Sequence, residues 1–320
     1  MRIMRLILSL LLVAAHCQIA AGKDYPNRPL RFLVPHAAGG PTDIMARVVG
    51  QRLAENLGET IVIDNRPGAG GNVGTALVAR ANPDGYTILI NSSAFAVNPS
   101  LYRNPGYDAL KSFAPIIVAG LSPNIVFVHP SFAAHTLQEL VASARGKQLS
   151  YASPGTGTTP HLTAEFLLKT LNKLDLTHIP YNGAGLAVNS VVGGQLPIGC
   201  TAMPPVVPMV KAGRLRGIVV TSPKRAAALP EVPTVAESGF PGYEDYTWIA
   251  FFAPAGTSRT IVDKLNAEIA KILQSPAVKE RLATLAFEFT PNAPQQFAEY
   301  LKVEVVKWAK VVKDSGARAD

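Results

Sequence analysis

The stretch LRFLVPHAAGGPTD, residues 30–43, decides how this chain is read. Leu30, Phe32, Leu33 and Val34 form an apolar run of strand length, and the chain leaves it through Gly39 and Gly40 into a helix start. Pro41 suits the first helical turn, where its missing N–H costs nothing, and Asp43 in that turn complements the helix dipole. The glycines carry no Cβ, so another group can come close to the backbone N–H donors of the helix start. Such a turn is either a plain connection or an anion-binding loop, and the rest of the chain must decide between them.

Outward from it, Ile44, Met45, Val48, Leu53 and Leu57 continue one helical face that Gly58 stops. The strand TIVIDN (60–65), the glycine-rich loop RPGAGGNVG (66–74), a helix through TALVARA (75–81) and the strand YTILINSS (86–93) follow. This β-α-β-α-β order predicts a parallel sheet with helices on its faces. A second run starts at NIVFVHP (124–130) and alternates in the same way through LSYAS, the loop PGTGTT (154–159), HLTAEFLLKTL, DLTHIPY, LPIGCTA and LRGIVVTS. LPEVPTVAESGFPGYE (229–244) reads as a long ordered loop, and YTWIAFFAP (246–254) as a strand crossing back. The tail is helical: Ile261, Leu265, Ile269 and Leu273 share one stripe, and Phe297, Leu301, Val305 and Trp308 another. Its return to the first unit gives two α/β lobes joined by two strand-like crossings near residues 125 and 248, a hinge able to close on a ligand.

The composition, 48% apolar and 16% charged over 320 residues, is globular. The opening MRIMR and LILSLLLVAA have the charge and length of a secretory signal, placing cleavage near Ala21 or Gly22 and the mature protein outside the cytoplasm. Cys17 leaves with that segment, so Cys200 stands alone and no intramolecular disulfide is expected. The net charge of +8 is spread along the chain without a basic run, which argues against nucleic acid as a partner.

In an open α/β sheet, ligands sit beyond the carboxyl ends of the strands. In the first lobe those ends offer His36, Ala37, Ala38, Gly39, Gly40, Thr42 and Asp43, then Ala69, then Ser92 and Ser93. In the second they offer Ser153, Gly155, Thr156, Gly157, Thr158 and His161. Two such loops facing each other could hold a carboxylate by N–H donors alone. For Asp43 a capping role outweighs a ligand contact, Arg66 is read as a brace of its own loop, and Trp248 as core. GAGGNVG misses the dinucleotide fingerprint at Val73, and no phosphate-loop motif is present. Tyr151 stands where a nucleophile elbow needs glycine, which weakens Ser153 with His161 as a hydrolase pair. The mature histidines lack metal-ligand spacing, so neither a metal nor a cofactor is expected.

Taken in order, YPNRPLRFLVPHAAGGPTDIMAR, IVIDNRPGAGGNVGT, ANPDGYTIL, YASPGTGTTPHL, HIPYNGAG, VVGGQLPIG, LPEVPTVAESGFPGYE and KWAKVVKDSG resemble the Bug family, the periplasmic substrate-binding proteins of tripartite tricarboxylate transporters. The resemblance runs from Tyr25 almost to the C-terminus. It implies a two-lobed periplasmic-binding-protein fold, type II-like, each lobe a mainly parallel sheet flanked by helices. The implied division is residues 1–22 as signal peptide, 23–124 with 249–320 as a discontinuous first domain, and 125–248 as the second. It further implies a non-catalytic, monomeric receptor that captures a small carboxylate solute (a dicarboxylate, an acidic amino acid or an aromatic acid) and hands it to a membrane permease. The backbone of Ala37–Gly40 and of Pro154–Thr158 would hold the carboxylate. His36 stands where members often carry an aromatic or another uncharged residue. Two alternatives remain: an extracytoplasmic sensor of the same solutes, and an exported serine hydrolase built on Ser153 and His161.

Overall fold

The structure, a computed structural model, describes residues 25–315 and 318–319; the expected signal segment and Cys17 lie outside them. Strand β1 (Leu30–Val34) leads into helix α1 (Pro41–Leu57), which has Pro41 in its first turn and ends on left-handed Gly58. Strand β2 (Ile61–Asn65), helix α2 (Asn72–Ala79) and strand β3 (Thr87–Ser92) complete a parallel trio in which β1 pairs with both neighbours. A short helix α3 (Ala94–Leu101) then leads to strand β4 (Phe113–Val128), sixteen residues long.

The second unit runs through α4 (Leu137–Ala144), β5 (Leu149–Ser153), α5 (Thr159–Ala164), β6 (Leu176–Pro180), α6 (Ala184–Val192), β7 (Ile198–Ala202), α7 (Val207–Lys211) and β8 (Arg216–Val220). Helix α5 continues directly into a π-helical stretch, Glu165–Leu171. Strand β9 (Tyr246–Pro254) returns, followed by α8 (Arg259–Gln274), α9 (Pro276–Ala283) and α10 (Pro294–Ser315). The strands join in the order β2-β1-β3-β9-β4-β7-β5-β6, with β8 also on β4. Each half is therefore mixed rather than uniformly parallel. A parallel trio is joined antiparallel to β9 in one half and to β4 in the other.

Strand β4 begins well before the NIVFVHP segment, a length that Pro115 and Pro123 hide in the sequence, since proline interrupts a ladder. The register shift between Pro115 and Ile117 marks where the strand absorbs one of them. The first half of β4 pairs with β9, and its second half with β7 and β8.

Helices cover both faces of the sheet. Phe32, Val49, Phe251, Leu265 and Ile269 share one core on the α1 and α8 side, while Phe95, Trp248, Phe252, Phe297 and Leu301 share another under α3 and α10. Around β5, Tyr151, Leu140 and Leu168 pack on one face and Phe127, Ala187 and Val191 on the other. Glu304 of α10 is buried among apolar side chains. Its Oε2 accepts from the indole N–H groups of Trp248 and Trp308, both at 3.0 Å, and Oε1 pairs with Lys307 at 2.9 Å. Glu304→Leu would strand two buried donors, and each such group costs about 1–3 kcal/mol. A loss of roughly 3 kcal/mol in urea unfolding is expected; an unchanged midpoint would show that the indoles find other acceptors.

Candidate functional site

The carboxyl ends of β1, β3, β5 and β7 converge on a half-open cavity, whose empty space with the adjoining solvent is about 350 Å³. Its wall takes His36, Gly40, Pro41 and Thr42 from the β1–α1 turn and Ser92 from the end of β3. Pro154, Thr158 and Pro160 come from the β5–α5 turn, and Ala184, Ala202, Thr247 and Ile249 complete it. Three helices, α1, α5 and α6, thus start at this wall. Their unpaired first-turn N–H groups and positive dipole ends favour an anion. No Lys, Arg, Asp or Glu lines the cavity among the described residues.

The β1–α1 turn is held by Asp43. Its carboxylate accepts from Gly39 N at 3.0 Å, Asn65 Nδ2 at 3.0 Å and Arg47 Nε at 2.9 Å. Burial works to raise its pKa, and the hydrogen bonds from Arg47, Gly39 and Asn65 outweigh it, leaving the group below the usual carboxylate range. Asp43 is a brace of the turn and is not one of the residues lining the cavity. Arg66 pairs with Asp64 at 2.9 Å and steadies the end of β2.

The β5–α5 turn is held from within. Ser153 Oγ lies 2.6 Å from His178 Nε2 and accepts from Gly155 N at 3.2 Å. His161 stacks on His178 with centroids 4.2 Å apart, and its Nδ1 accepts from Gly157 N at 3.3 Å. The Ser153–His161 pair of the hydrolase alternative is not formed: Ser153 bonds His178, its side chain is fully buried, and neither residue is part of the cavity wall. Burial pushes the His161 and His178 pKa values down to about 4 and about 3.

Several amides that the sequence offered to a carboxylate are committed to the protein. Ala37 N donates to Asn182 O at 2.8 Å, Gly39 N to Asp43, Gly155 N to Ser153, Gly157 N to His161, and Thr158 N to Gly155 O. Of the residues singled out in the sequence, the structure gathers His36, Gly40, Thr42, Ser92 and Thr158 on the wall. Ala37, Ala38, Gly39, Gly155, Thr156 and Gly157 lie behind or beside it, Ala69 is exposed, and Ser93 bonds Thr159 at 3.0 Å.

The two turns also meet material from across the cavity. A Cβ on Gly185 would lie 2.7 Å from Ala38 O, and one on Gly157 would lie 2.2 Å from Asn98 Oδ1. Tyr102 Oη donates to Thr156 O at 3.2 Å. Behind the wall a chain of side chains links the long strands. Thr247 Oγ1 bonds Thr159 Oγ1 at 2.6 Å and Asn124 Oδ1 at 2.8 Å. Asp245 Oδ2 accepts from Asn124 Nδ2 at 2.9 Å and Thr163 Oγ1 at 2.6 Å. Burial raises the Asp245 pKa to about 6 against these hydrogen bonds.

Thr247, Ile249, Ala202 and the start of α6 escaped sequence reasoning. For α6 a signal existed, because HIPYNGAG leaves a strand through glycine into a helix just as LRFLVPHAAGG does. The strand residues carried none.

A cavity at the carboxyl ends of two half-sheets, joined by β4 and β9 and edged by helix starts, is the architecture of the periplasmic-binding-protein fold. The chain belongs to the tripartite tricarboxylate transporter receptor family, whose model matches residues 45–317. It is similar in structure to the periplasmic binding protein BugD, at 36% identity and a TM-score of 0.86 over 92% of this chain and 100% of that one. Rpa4515 of R. palustris, solved with adipate, is 34% identical with a TM-score of 0.88 over 92% and 100%. MatC of Rhodopseudomonas palustris, solved with malate, is 32% identical with a TM-score of 0.83 over 90% and 100%. Members of this family are solute-binding receptors, not enzymes.

Proposed function

We propose that this protein captures a small carboxylate in the cavity and delivers it to the membrane permease of a tripartite tricarboxylate transporter. The observation that carries the reading is the meeting of three helix starts at a wall without charged side chains. Backbone dipoles and hydroxyls there can hold a carboxylate without an arginine. Adipate in Rpa4515 and malate in MatC support a carboxylate as cargo. In this reading residues 23–124 with 249–320 move as one body and 125–248 as another, β4 and β9 bend between them, and a monomer suffices.

The test is a thermal-shift screen on refolded, ligand-stripped mature protein with mono-, di- and tricarboxylates, acidic amino acids and aromatic acids. At a hundred times its dissociation constant a ligand adds about 2.7 kcal/mol, a rise of about 5 °C for a chain of this size. A shift confined to one chemical class would name the cargo. No shift with any carboxylate would overturn the reading.

A further inference from the structure

The His36 ring is buried, yet neither Nδ1 nor Nε2 has a hydrogen-bond partner among the described residues. A buried polar group left unmade costs about 1–3 kcal/mol, so an imidazole with both nitrogens idle gains when a partner reaches it. The seat is built for it. Asn65 Nδ2 holds the His36 carbonyl at 3.0 Å, and Gly71, at φ +99°, leaves the space the ring fills, since a Cβ there would lie 3.2 Å from Nε2. The ring lines the cavity beside Gly40 and Thr42.

We propose that His36 selects the solute by charge: it takes a proton from solvent when a second carboxylate enters beside it, so that the protein prefers short dicarboxylates and binds each with uptake of one proton. This rests on the carboxylate-receptor reading above. Helix starts supply about half a positive charge each, enough for one carboxylate. A second carboxylate in the same cavity gains from a further cation, and His36 is the one side chain of the wall able to become one.

The charged groups around it are already satisfied. On α1, Asp43 and Arg47 pair with each other; on β2, Asp64 pairs with Arg31 and Arg66. Glu165 and Lys169 pair beyond α5, and Asp245 before β9 is held by Thr163 and Asn124. Burial lowers the pKa of the ring to about 4. Free His36 is thus neutral at neutral pH, and an adjacent carboxylate raises its pKa in the complex. Between the free and bound values binding takes up a proton. Above the carboxylate range, where both solute carboxylates are ionised, dicarboxylate affinity therefore falls by up to about tenfold per unit as pH rises toward the bound-state value of His36.

The experiment is titration calorimetry of the mature chain at pH 6.5 in buffers of differing ionisation enthalpy, with succinate, glutarate and adipate set against butyrate, valerate and hexanoate. The expected result is uptake of close to one proton per dicarboxylate, none per monocarboxylate, and tighter binding of the diacids. His36→Phe should abolish the uptake and weaken the diacids at least tenfold while moving the monoacids no more than a few-fold. His36→Gln, which keeps a hydrogen-bonding end without a titrating one, should restore part of the affinity without the pH dependence. Binding of diacids with no proton uptake, or with a preference unchanged in His36→Phe, would overturn the inference and leave the receptor reading standing. Failure of every mono- and dicarboxylate to bind a folded protein would overturn both.

Discussion

Gly185→Ala is expected to weaken solute binding by about a hundredfold while leaving the free protein as stable as before. Gly185 lies in the first turn of α6, outside the left-handed region, so alanine meets no backbone strain there. Within a helix alanine is favoured over glycine by up to about 1 kcal/mol. The obstacle is across the cavity, where the new Cβ would lie 2.7 Å from the Ala38 carbonyl oxygen, closer than atoms approach. That contact exists only while the start of α6 sits against the β1–α1 turn. The substitution therefore penalises the arrangement that encloses the cavity, and a penalty of about 2.7 kcal/mol is a hundredfold in affinity. Titration calorimetry reads the affinity, and small-angle scattering with and without solute reads the closure. Wild-type binding by Gly185→Ala would mean that the solute is held without this approach.

The second large effect is acid lability. The pKa values of His36, His161 and His178 stand at about 4, about 4 and about 3 in the folded protein, each lowered first by burial. An unfolded chain returns them to about 6.5, so it binds protons first as pH falls. Their stability is full above about pH 6.5 and drains away toward pH 4, at about 1.4 kcal/mol per unit for a fully shifted ring. His178 is the least enclosed of the three and counts for less. Asp245 works the other way. Its raised pKa of about 6 lets the folded state bind a proton before the unfolded one, which returns some stability as pH falls below that value. The net expectation is a loss of about 2–3 kcal/mol per pH unit near pH 5, and a melting point lower by on the order of 10 °C at pH 5 than at pH 7. Circular dichroism melts across that range check it, with His161→Gln expected to flatten the slope. A melting point independent of pH would mean that these rings are hydrated enough to titrate normally.

The alternation of strand and helix, the two glycine turns and the helical tail were legible because each rests on local chemistry: periodicity, Pro41 at a helix start, Gly58 at a helix end. The first half of β4 was not, since Pro115 and Pro123 break the local strand pattern and only pairing with β9 restores it. At the site, the turn residues could be named but not their commitments. Nothing local tells that Gly157 N will serve His161, that Ser153 will choose His178, or that His36 will be left with idle nitrogens. The choice of Ser153 rests on β6 lying beside β5 and the seat of His36 on Gly71, partners that reach the turns only once the chain has folded. Thr247 and Ile249 were missed for the same reason, as strand residues whose one open side happens to face the cavity.

The shared strands also set the order in which this chain can become a protein. Leu89 of β3 finds its partner in Phe252 of β9, and Phe113 of β4 finds its own in Pro254. Until residue 254 has been synthesised, the parallel trio around β1 lacks its inner neighbour and an apolar edge stays open. Such distant pairings are slow to form, because loop-closure entropy must be overcome before any contact rewards it. The first half-sheet of a nascent chain therefore closes only once the last quarter of the sequence has emerged, whereas the strands of the second are all present by residue 220.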